Sequence, residues 1–290
     1  MENLNYMQSE TCPICKSLHF QIRYNLDKGQ LSTCQKCKTV LFFPRPTLEE
    51  LAEYYRQPIY RSAYTSSVMA EQEFSKARYS QLCDVLKKYV PSILSKSDKS
   101  LLDIGCGNGD LIKVAAKKGW KSFGTELYDE NSIGNSQNRD NSDIKIYTGE
   151  LLSLNLPANS FDLITIYHVI EHLISPIETL SEIYRLLKPS GVALIETPNI
   201  GGIGSIVKGK QWSHIIPPEH ITYFNPSALR FAVLKAQFPK TEVFTISPQV
   251  IDSASNLVEP FQSILKGIYA IAPRFNLGAT LQALAFKSSS

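Results

Sequence analysis

The pattern of apolar residues changes near Lys99. From there to the end of the chain, short apolar runs alternate with segments of helical period. The runs predict strands, and in chain order they read LLDI, KSFGTE, IKIYTG, FDLITIYH, VALIETP and EVFTISP. Strands that alternate with helices are typical of an α/β domain, in which helices cover a mostly parallel sheet. We therefore predict one such domain over residues 99–290. Within it, Asn225 before Pro226 marks the start of a helix.

A helical bridge is predicted over residues 44–98, upstream of this domain. Thr47, with Glu50 three residues later, forms a capping box that opens a short helix. Pro91 is expected to end a second helix over residues 66–90. The apolar stripe of that second helix consists of Phe74, Ala77, Leu82, Val85, Leu86 and Tyr89.

Four cysteines near the start of the chain have the spacing of a metal site. They form the pairs CPIC and CQKC, separated by eighteen residues, and are Cys12, Cys15, Cys34 and Cys37. Two such pairs can complete a tetrahedral shell around a structural Zn²⁺. The residues between them alternate in polarity and turn at Asp27-Lys28-Gly29, which predicts a β-hairpin. We therefore predict a small zinc ribbon over residues 1–43; two redox pairs or unconnected thiols are the alternative.

Composition and charge exclude few classes of protein. The chain has 290 residues, 43% of them hydrophobic and 20% charged, which is ordinary for a globular protein. A net charge of +3 gives no reason to expect a polyanionic partner, so nucleic acid is an unfavoured ligand. The start of the chain, MENLNYMQSE, has neither the basic nor the apolar region of a secretory signal. Because no run reaches the ~18 apolar residues of a membrane span, we expect a cytoplasmic protein.

The loop after the first strand of the α/β domain carries the clearest ligand-binding pattern. It reads DIGCGNGD, in which Gly105 and Gly107 allow a tight turn and a close approach of the backbone to a ligand. The spacing G-x-G-x-G differs from the dinucleotide fingerprint G-x-G-x-x-G. Asp103 before the first glycine suits a cationic amino group better than a pyrophosphate. Glu126 ends the next strand, at the separation along the chain at which an acidic residue binds ribose hydroxyls in nucleotide sites.

Together with LLDIGCGNGD and Glu126, the segments SFDLITIYHVIEHL and LLKPSGVALIETPN resemble the class I S-adenosylmethionine-dependent methyltransferases. The resemblance covers about residues 99–290. It implies a Rossmann-like sheet of seven strands whose last strand is antiparallel, a strand that GATLQALAFK fits. A nicotinamide oxidoreductase is the alternative for this half. By position, the resemblance assigns the amino acid part of the cofactor to Asp103, Gly105 and Gly107, the ribose to Glu126, and the adenine to Glu150 with Leu151.

The segment IIPPEHITYFNP places Glu219 and His220 side by side after the fifth strand. With the ribbon in front, the chain resembles bacterial methyltransferases that act on nucleotide-linked deoxysugars. This resemblance implies an acceptor-covering insertion over about residues 198–226, with His220 as general base and Glu219 orienting the sugar or stabilising the imidazolium. His168, at the end of the fourth strand, is a further pocket candidate. The alternative is that His220 only pins its loop.

Other functions stay open from the sequence. The C-methylating members of the sugar group carry a further C-terminal domain, which puts C-methylation in doubt here and leaves O-methylation open. An RNA methyltransferase could use the ribbon to grip its substrate. The apolar segment 256–273 could roof a pocket, bury an interface or touch a membrane, in which case the acceptor would be a lipid-linked sugar or a quinone precursor. A cofactor-binding zinc interaction module is the non-enzymatic alternative. The acceptor, the methylated atom and the oligomeric state are not determined.

Overall fold

The computed structural model of the chain describes residues 10–56, 68–127, 144–247 and 267–289. Contacts between Cα atoms divide the chain into two compact units. One consists of residues 1–54, 168–177 and 195–285, and the other of residues 55–167, 178–194 and 286–290. Most of the segment 256–273 lies outside the described residues, so its predicted role stays untested.

The larger sheet has seven strands, as predicted. Its strands are β4 (Ser100–Ile104), β5 (Lys121–Glu126), β6 (Ile144–Thr148), β7 (Phe161–Tyr167), β8 (Leu187–Pro198), β10 (Lys240–Ile246) and β11 (Thr280–Phe286). They lie in the order β10-β11-β8-β7-β4-β5-β6. Strands β4 to β7 are parallel to one another. The backbone amides of Ser190 and Asn199 donate to the carbonyls of Ser288 and Ala279, so β11 runs antiparallel to β8.

Interior strands of this sheet are buried along most of their length. All five residues of β4, an interior strand, are buried, and the last eight residues of β8 are buried as well. Continuous apolar runs of this kind belong to strands that are covered on both faces. The helices α4 (Asp110–Ala116), α5 (Pro176–Leu186) and α7 (Pro226–Lys235) follow strands of the sheet in the chain. This alternation confirms the predicted α/β class.

The bridge helix differs in part from its predicted pattern. The helices of this region are α1 (Leu48–Arg56), α2 (Val68–Tyr89) and α3 (Pro91–Leu94). Leu82 and Leu86 are buried as expected, but Phe74 is 61% exposed, Ala77 is exposed as well, and Ser75 is buried. The Phe74 ring lies against the guanidinium of Arg78, 4.9 Å from its centroid. The apolar stripe of α2 is therefore shorter than the sequence indicated.

The smaller sheet contains the predicted hairpin and one strand from far along the chain. β1 (Phe20–Leu26) and β2 (Gly29–Cys34) pair antiparallel around the turn at Asp27-Lys28, and β3 (Val40–Phe43) pairs with β2. The fourth strand, β9 (Thr222–Tyr223), pairs with β3 and comes from the segment predicted to cover the acceptor. The guanidinium of Arg45 donates to the carbonyl of Ile221, 3.1 Å away. The predicted ribbon and the Glu219-His220 segment therefore belong to one sheet.

Helix ends follow the predicted capping chemistry. The Thr47 amide donates to the Glu50 carboxylate at 2.7 Å, and the Glu50 amide donates to the Thr47 hydroxyl at 3.2 Å. At α7, the Asn225 side-chain oxygen accepts from the Ala228 amide at 2.9 Å.

The short helix α6 (Ile203–Lys208) follows β8. Among the described residues, no helix is both long and apolar enough to cross a membrane.

Candidate functional site

The four cysteines converge on one point. All four are buried, and their sulfurs approach in two pairs at 3.5 Å, Cys12 with Cys37 and Cys15 with Cys34. Both loops fold alike, because the Lys16 amide donates to the Cys12 carbonyl and the Lys38 amide to the Cys34 carbonyl. Lys16 and Lys38 both have positive φ, 60° and 63°. The two cysteine pairs therefore lie on loops of matching conformation.

The geometry of the thiols fits a tetrahedral metal ion. Zinc–sulfur bonds of about 2.3 Å place neighbouring sulfurs roughly 3.8 Å apart in a tetrahedral shell, close to the observed separations. The hydrogen bond between Cys12 and Cys37 lowers the pKa of Cys37 and raises that of Cys12, so these two thiols share one proton and one of them is a thiolate. A thiolate is the form that binds Zn²⁺. The chemistry and spacing of this set therefore suit a structural zinc ion.

The glycine loop presents two carboxylates at the carboxyl ends of β4 and β5. Asp103 is 5% exposed, and burial raises its pKa to about 7, although Thr165 donates a hydrogen bond to it at 2.6 Å. The charge of Glu126 also raises this pKa. A carboxyl group whose ionised form is disfavoured by burial and by a second carboxylate is stabilised in that form by a nearby cationic group. The amino group predicted to lie at Asp103 has that charge.

Glu126 also organises the loop itself. Its carboxylate accepts from the Gly107 amide and from the Leu127 amide, both at 2.9 Å. Gly107 has φ +52°, and a Cβ there would meet no atom within 4 Å, so the backbone borders open space. Such a backbone segment can approach a ligand closely. Glu150 is exposed, and Leu151 after it is buried in a short 3₁₀ turn, Leu151–Ser153. The roles of Glu126, Glu150 and Leu151 with ribose and adenine stay predictions.

A second group of polar side chains surrounds His168, which follows β7 directly. Its Nδ1 lies 3.3 Å from the Glu171 carboxylate and its Nε2 lies 3.2 Å from the Glu196 carboxylate. Burial opposes the charge on this ring, but the two carboxylates outweigh it and raise the pKa of His168 to about 9. The ring is therefore protonated at neutral pH. The charged ring can stabilise negative charge. A general base must instead be able to accept a proton, so His168 in this state does not suit that role.

Glu171 is the residue that sequence reasoning missed. It is 1% exposed, and its Oε2 accepts from the Thr197 hydroxyl at 2.9 Å. Although burial acts to raise the pKa of Glu171, the neighbouring histidines lower it to about 2. Its backbone carbonyl accepts from the Ile221 amide at 3.0 Å, which ties this turn to the segment that carries His220. One signal for it is visible in the segment HVIEHL, an acid three residues after His168. Nothing in the sequence indicates that the chain returns to this acid at His220.

His220 has the opposite protonation state. It is 5% exposed, and burial together with the charge of His172 lowers its pKa to about 4. Its Nδ1 lies 2.9 Å from the backbone carbonyl of His214. A carbonyl oxygen can only accept, so Nδ1 carries the proton of the neutral ring and Nε2 holds a lone pair. The predicted base therefore has the tautomer and the charge that a base needs.

Three more aromatic side chains surround this ring. The His172 ring lies edge-on to it, with centroids 4.7 Å apart, and the His214 ring is stacked at 6.0 Å. The Tyr223 hydroxyl donates to the His220 backbone carbonyl at 2.8 Å. The hydrogen bond to the His214 carbonyl pins the loop, as the alternative interpretation of His220 expected. His220 can hold its loop in place and act as a base at the same time, because the hydrogen bond to His214 uses Nδ1 and leaves the lone pair of Nε2 to accept a proton.

Glu219 faces a different partner. The Tyr54 hydroxyl donates to its carboxylate at 3.4 Å. The carboxylate whose charge favours the protonated form of His220 is that of Glu171. The predicted pairing of Glu219 with the imidazolium is therefore less direct than the sequence suggested, and its contact with an acceptor stays a prediction.

The same cluster also contains a possible metal donor set. Glu171, His172 and His220 each offer one ligand atom, and these atoms lie within 4.8 Å of one another. Two imidazoles and a carboxylate suit Zn²⁺ or another divalent transition metal. The arrangement therefore supports proton transfer and metal binding alike, and removal of metal from the protein distinguishes them.

Comparison with known proteins places the chain in a family. The sequence profile of the family described as "Methyltransferase domain" matches residues 74–243, more than half of the chain. The chain therefore belongs to this family. With the strand order and the glycine loop, it carries an S-adenosylmethionine-dependent methyltransferase domain of the predicted α/β fold.

Individual relatives agree with this class. A probable S-adenosylmethionine-dependent methyltransferase of Mycolicibacterium smegmatis is 36% identical over 104 residues, 35% of this chain and 38% of that protein. A ubiquinone biosynthesis O-methyltransferase of Psychrobacter arcticus is 29% identical over 109 residues, 35% of this chain and 41% of that protein. The chain thus spans about two fifths of the length of the curated relatives that it matches.

Solved structures share the fold. A methyltransferase from Archaeoglobus fulgidus superposes with a TM-score of 0.51 at 21% identity, covering 77% of this chain and 100% of that one. Phosphoethanolamine N-methyltransferase 2 of Haemonchus contortus, in complex with S-adenosyl-L-methionine, reaches a TM-score of 0.55 at 16% identity over 92% of this chain and 71% of that one. Both likenesses concern the fold alone.

Proposed function

We propose that the protein transfers a methyl group from S-adenosylmethionine to a hydroxyl of a small-molecule acceptor, and that His220 Nε2 accepts the hydroxyl proton. The observation that carries this proposal is the hydrogen bond from His220 Nδ1 to the His214 carbonyl, 2.9 Å long. It directs the lone pair of a neutral, buried imidazole to Nε2. The bound cofactor supplies an electrophilic methyl group on a sulfonium.

The chain's own residues would hold the cofactor in the way that the fold suggests. Asp103 and the Gly105–Gly107 backbone suit its amino acid part, and Glu126 suits the ribose hydroxyls. Their fit rests on the buried acid at Asp103 and on the open space beside Gly107. A methyl transfer is a direct displacement, so alignment and proton removal are the main demands on the protein.

Proton transfer follows from the hydrogen-bond network. As the acceptor oxygen attacks the methyl group, its proton passes to His220 Nε2 and the ring becomes an imidazolium. The His214 carbonyl holds the ring in place through Nδ1, and the Glu171 carboxylate favours the positive charge. The imidazolium of His168 lies between Glu171 and Glu196 and keeps the buried Glu171 carboxylate ionised by lowering its pKa. A general base contributes about 10²- to 10⁴-fold to such a rate.

A sugar or nucleotide-linked sugar of glycan biosynthesis is the acceptor class that we favour. The support is the resemblance of the ribbon and of the segment IIPPEHITYFNP to sugar methyltransferases. Carboxylates and imidazoles, as at Glu171 and His220, also suit neutral hydroxyl groups, which both donate and accept hydrogen bonds. We propose that the four cysteines hold a structural Zn²⁺. A quinone-precursor hydroxyl is the second candidate, because ubiquinone biosynthesis O-methyltransferases are among the relatives.

The test measures release of S-adenosylhomocysteine with three acceptor pools: nucleotide sugars, a lipid extract that includes quinone precursors, and total RNA. We expect turnover with nucleotide sugars, and a loss of about 10²- to 10⁴-fold in the His220→Ala variant. His19→Ala is the matched control, because His19 is exposed beside the ribbon hairpin and lies in no described cluster. The assay is repeated after dialysis against a chelator and after addition of Zn²⁺ or Mg²⁺.

Each outcome has a distinct meaning. Turnover only with lipid or RNA would overturn the sugar acceptor. Unchanged turnover in His220→Ala would remove the proposed base. Activity that is lost on chelation and restored by metal, while the ribbon stays folded, would assign Glu171, His172 and His220 to a metal ion in place of a free base. A protein that binds cofactor and methylates no pool would favour the non-enzymatic interaction module.

A further inference from the structure

The surface beside helix α6 exposes a group of large apolar side chains, which we call the apolar patch. Its members are Ile206 and Val207 on α6, and Ile268, Ile271 and Phe275 later in the chain. Each of these five side chains is between 37% and 78% exposed. A single exposed apolar residue is ordinary on a protein surface, whereas a group of them marks a surface that binds a partner or a membrane.

The two segments that carry the apolar patch are in contact. The Ile203 amide donates to the Leu277 carbonyl at 2.9 Å. A Cβ on Gly204 would lie 3.4 Å from the Tyr269 hydroxyl oxygen, so Tyr269 reaches the backbone of α6. Val207 follows Gly204 by three residues and lies on the same side of the helix. The exposed residues of both segments therefore border one contact and form a single surface.

Basic residues flank this surface. Lys208, Lys210 and Arg274 are exposed, and two of them follow or precede a patch residue directly in the chain. Residues 199–218 and 267–290 contain no Asp and no Glu. An apolar centre with a basic border is complementary to an anionic lipid bilayer, whose acyl chains take up the apolar side chains while its headgroups attract the cations. A second copy of the chain would instead bring these cations against like charges, which is unfavourable.

The apolar patch also lies near the proposed base. A Cβ on Gly204 would lie 3.9 Å from Trp212 Nε1, and the Trp212 ring meets the His214 ring with centroids 4.9 Å apart. The His214 ring in turn is stacked on that of His220. Two side chains therefore connect α6 to His220.

We propose that the apolar patch docks on an anionic lipid bilayer, with Lys208, Lys210 and Arg274 at the headgroups. Membrane contact was an open prediction for the segment 256–273, and the described residues add α6 and Phe275 to that surface. Docking goes beyond the proposed function and does not depend on it. Its consequence for the reaction is access, because an acceptor that an apolar tail anchors in the bilayer would meet His220 close to the membrane surface.

Vesicle binding tests the docking surface without cofactor or acceptor. The full chain is floated with vesicles of phosphatidylcholine alone and of phosphatidylcholine with phosphatidylglycerol, at low and at high salt. The apolar variants are Val207→Ser and Phe275→Ser, and Leu48→Ser is their matched control, because Leu48 is 64% exposed on α1. Circular dichroism, zinc content and sedimentation velocity report the folding and the oligomeric state of every protein.

A triple variant tests the cations. It replaces Lys208, Lys210 and Arg274 with Gln. Its charge-matched control replaces three exposed lysines elsewhere on the chain with Gln, namely Lys28, Lys118 and Lys235. Both proteins lose three positive charges, so a difference between them reports where the charges lie and not the net charge.

We expect the wild type to bind the vesicles that contain phosphatidylglycerol and to bind them less at high salt, because salt screens the headgroup charge. Val207→Ser and Phe275→Ser should each weaken this binding by about 10-fold or more, since each removes apolar area that enters the bilayer. The triple variant should lose about 100-fold, at about fivefold for each cation. Leu48→Ser and the charge-matched control should stay within about twofold to threefold of the wild type.

Several results would overturn the docking surface. A wild type that does not bind anionic vesicles would do so, as would equal losses in the patch variants and their controls. Losses in the triple variant without losses in Val207→Ser and Phe275→Ser would reduce the contact to adsorption by charge. A wild-type dimer that Val207→Ser converts to monomer, without vesicle binding, would assign the patch to a second copy of the chain. Vesicle binding as expected, with no acceptor methylated, would support the docking surface and overturn only the proposed function.

Discussion

The opposite charge states of His168 and His220 lead to a prediction about Glu171. Replacing Glu171 with Gln keeps the size of the side chain and removes its charge. In the wild type, burial lowers the pKa of His168 while Glu171 and Glu196 raise it more strongly, to about 9 from the ordinary 6.5. In Glu171→Gln only Glu196 remains to oppose the effect of burial, so the pKa of His168 should lose more than half of this rise.

The raised pKa implies a stability that depends on pH. A group whose pKa is higher in the folded than in the unfolded state stabilises the fold below its unfolded pKa and loses this contribution as pH rises through the folded value. For His168 the contribution is complete below pH 6.5 and is lost by about pH 9. The full shift corresponds to about 3.4 kcal/mol, which solvent screening of a partly exposed ring reduces to about 1–2 kcal/mol. Glu171 should account for more than half of this, about 1 kcal/mol.

Two measurements check this reasoning. Urea unfolding, followed by the fluorescence of the buried Trp120 and Trp212, gives the free energy of unfolding of both proteins at pH 6 and pH 9.5. The variant should lose about 1 kcal/mol more at pH 6 than at pH 9.5, in addition to a pH-independent loss from the Thr197 hydrogen bond. A titration of the imidazole carbon resonances reports the pKa of His168 directly.

The control and the contrary result are equally specific. Glu219→Gln removes a carboxylate that pairs with Tyr54, so it should leave the pKa of His168 unchanged. If the stability loss of Glu171→Gln were the same at both pH values, or if His168 of the wild type titrated near 6.5, the ion pair between these residues would not hold the proton. The conclusion that His168 is charged while His220 is neutral would then fail too.

Three further predictions concern the ribbon, a helix cap and the glycine loop. Cys12→Ser should lower the zinc content from one ion per chain toward none and reduce the melting temperature, whereas Cys83→Ser should leave the metal content unchanged; equal content in all three proteins would contradict the four-thiol site. Asn225→Ala should cost about 1 kcal/mol of unfolding free energy, because the Ala228 amide loses its acceptor, and Asn225→Ser should restore most of it. Gly124→Ala places a Cβ 2.5 Å from the Cys106 sulfur, so it should destabilise the protein by about 1–3 kcal/mol and weaken S-adenosylhomocysteine binding. Cys106→Gly should rescue it, and a rescue that fails would show that the strain lies elsewhere.

Much of the fold was predictable because its signals are local. Buried strands such as β4 are continuous apolar runs, and the capping pairs lie three residues apart, so each can be recognised within one short segment. The cysteine spacing and the glycine loop belong to the same kind of signal. The predicted stripe of α2 was wrong at Phe74 and Ala77, which are exposed, because a helical period alone does not show how much of a helix is covered by its neighbours.

The candidate site was predictable only in part. His220, Asp103 and Glu126 could be named from their motifs, yet their charge states follow from neighbours that are distant in the chain. Glu171 lies close to His220 because the Ile221 amide bonds to its carbonyl, and no periodicity in the sequence encodes that contact. The sequence determined which elements form and which residue types they carry. The charge states come from the folded protein: His220 is neutral with its lone pair on Nε2 while His168 is charged, because burial and the partners of each ring nitrogen set those states.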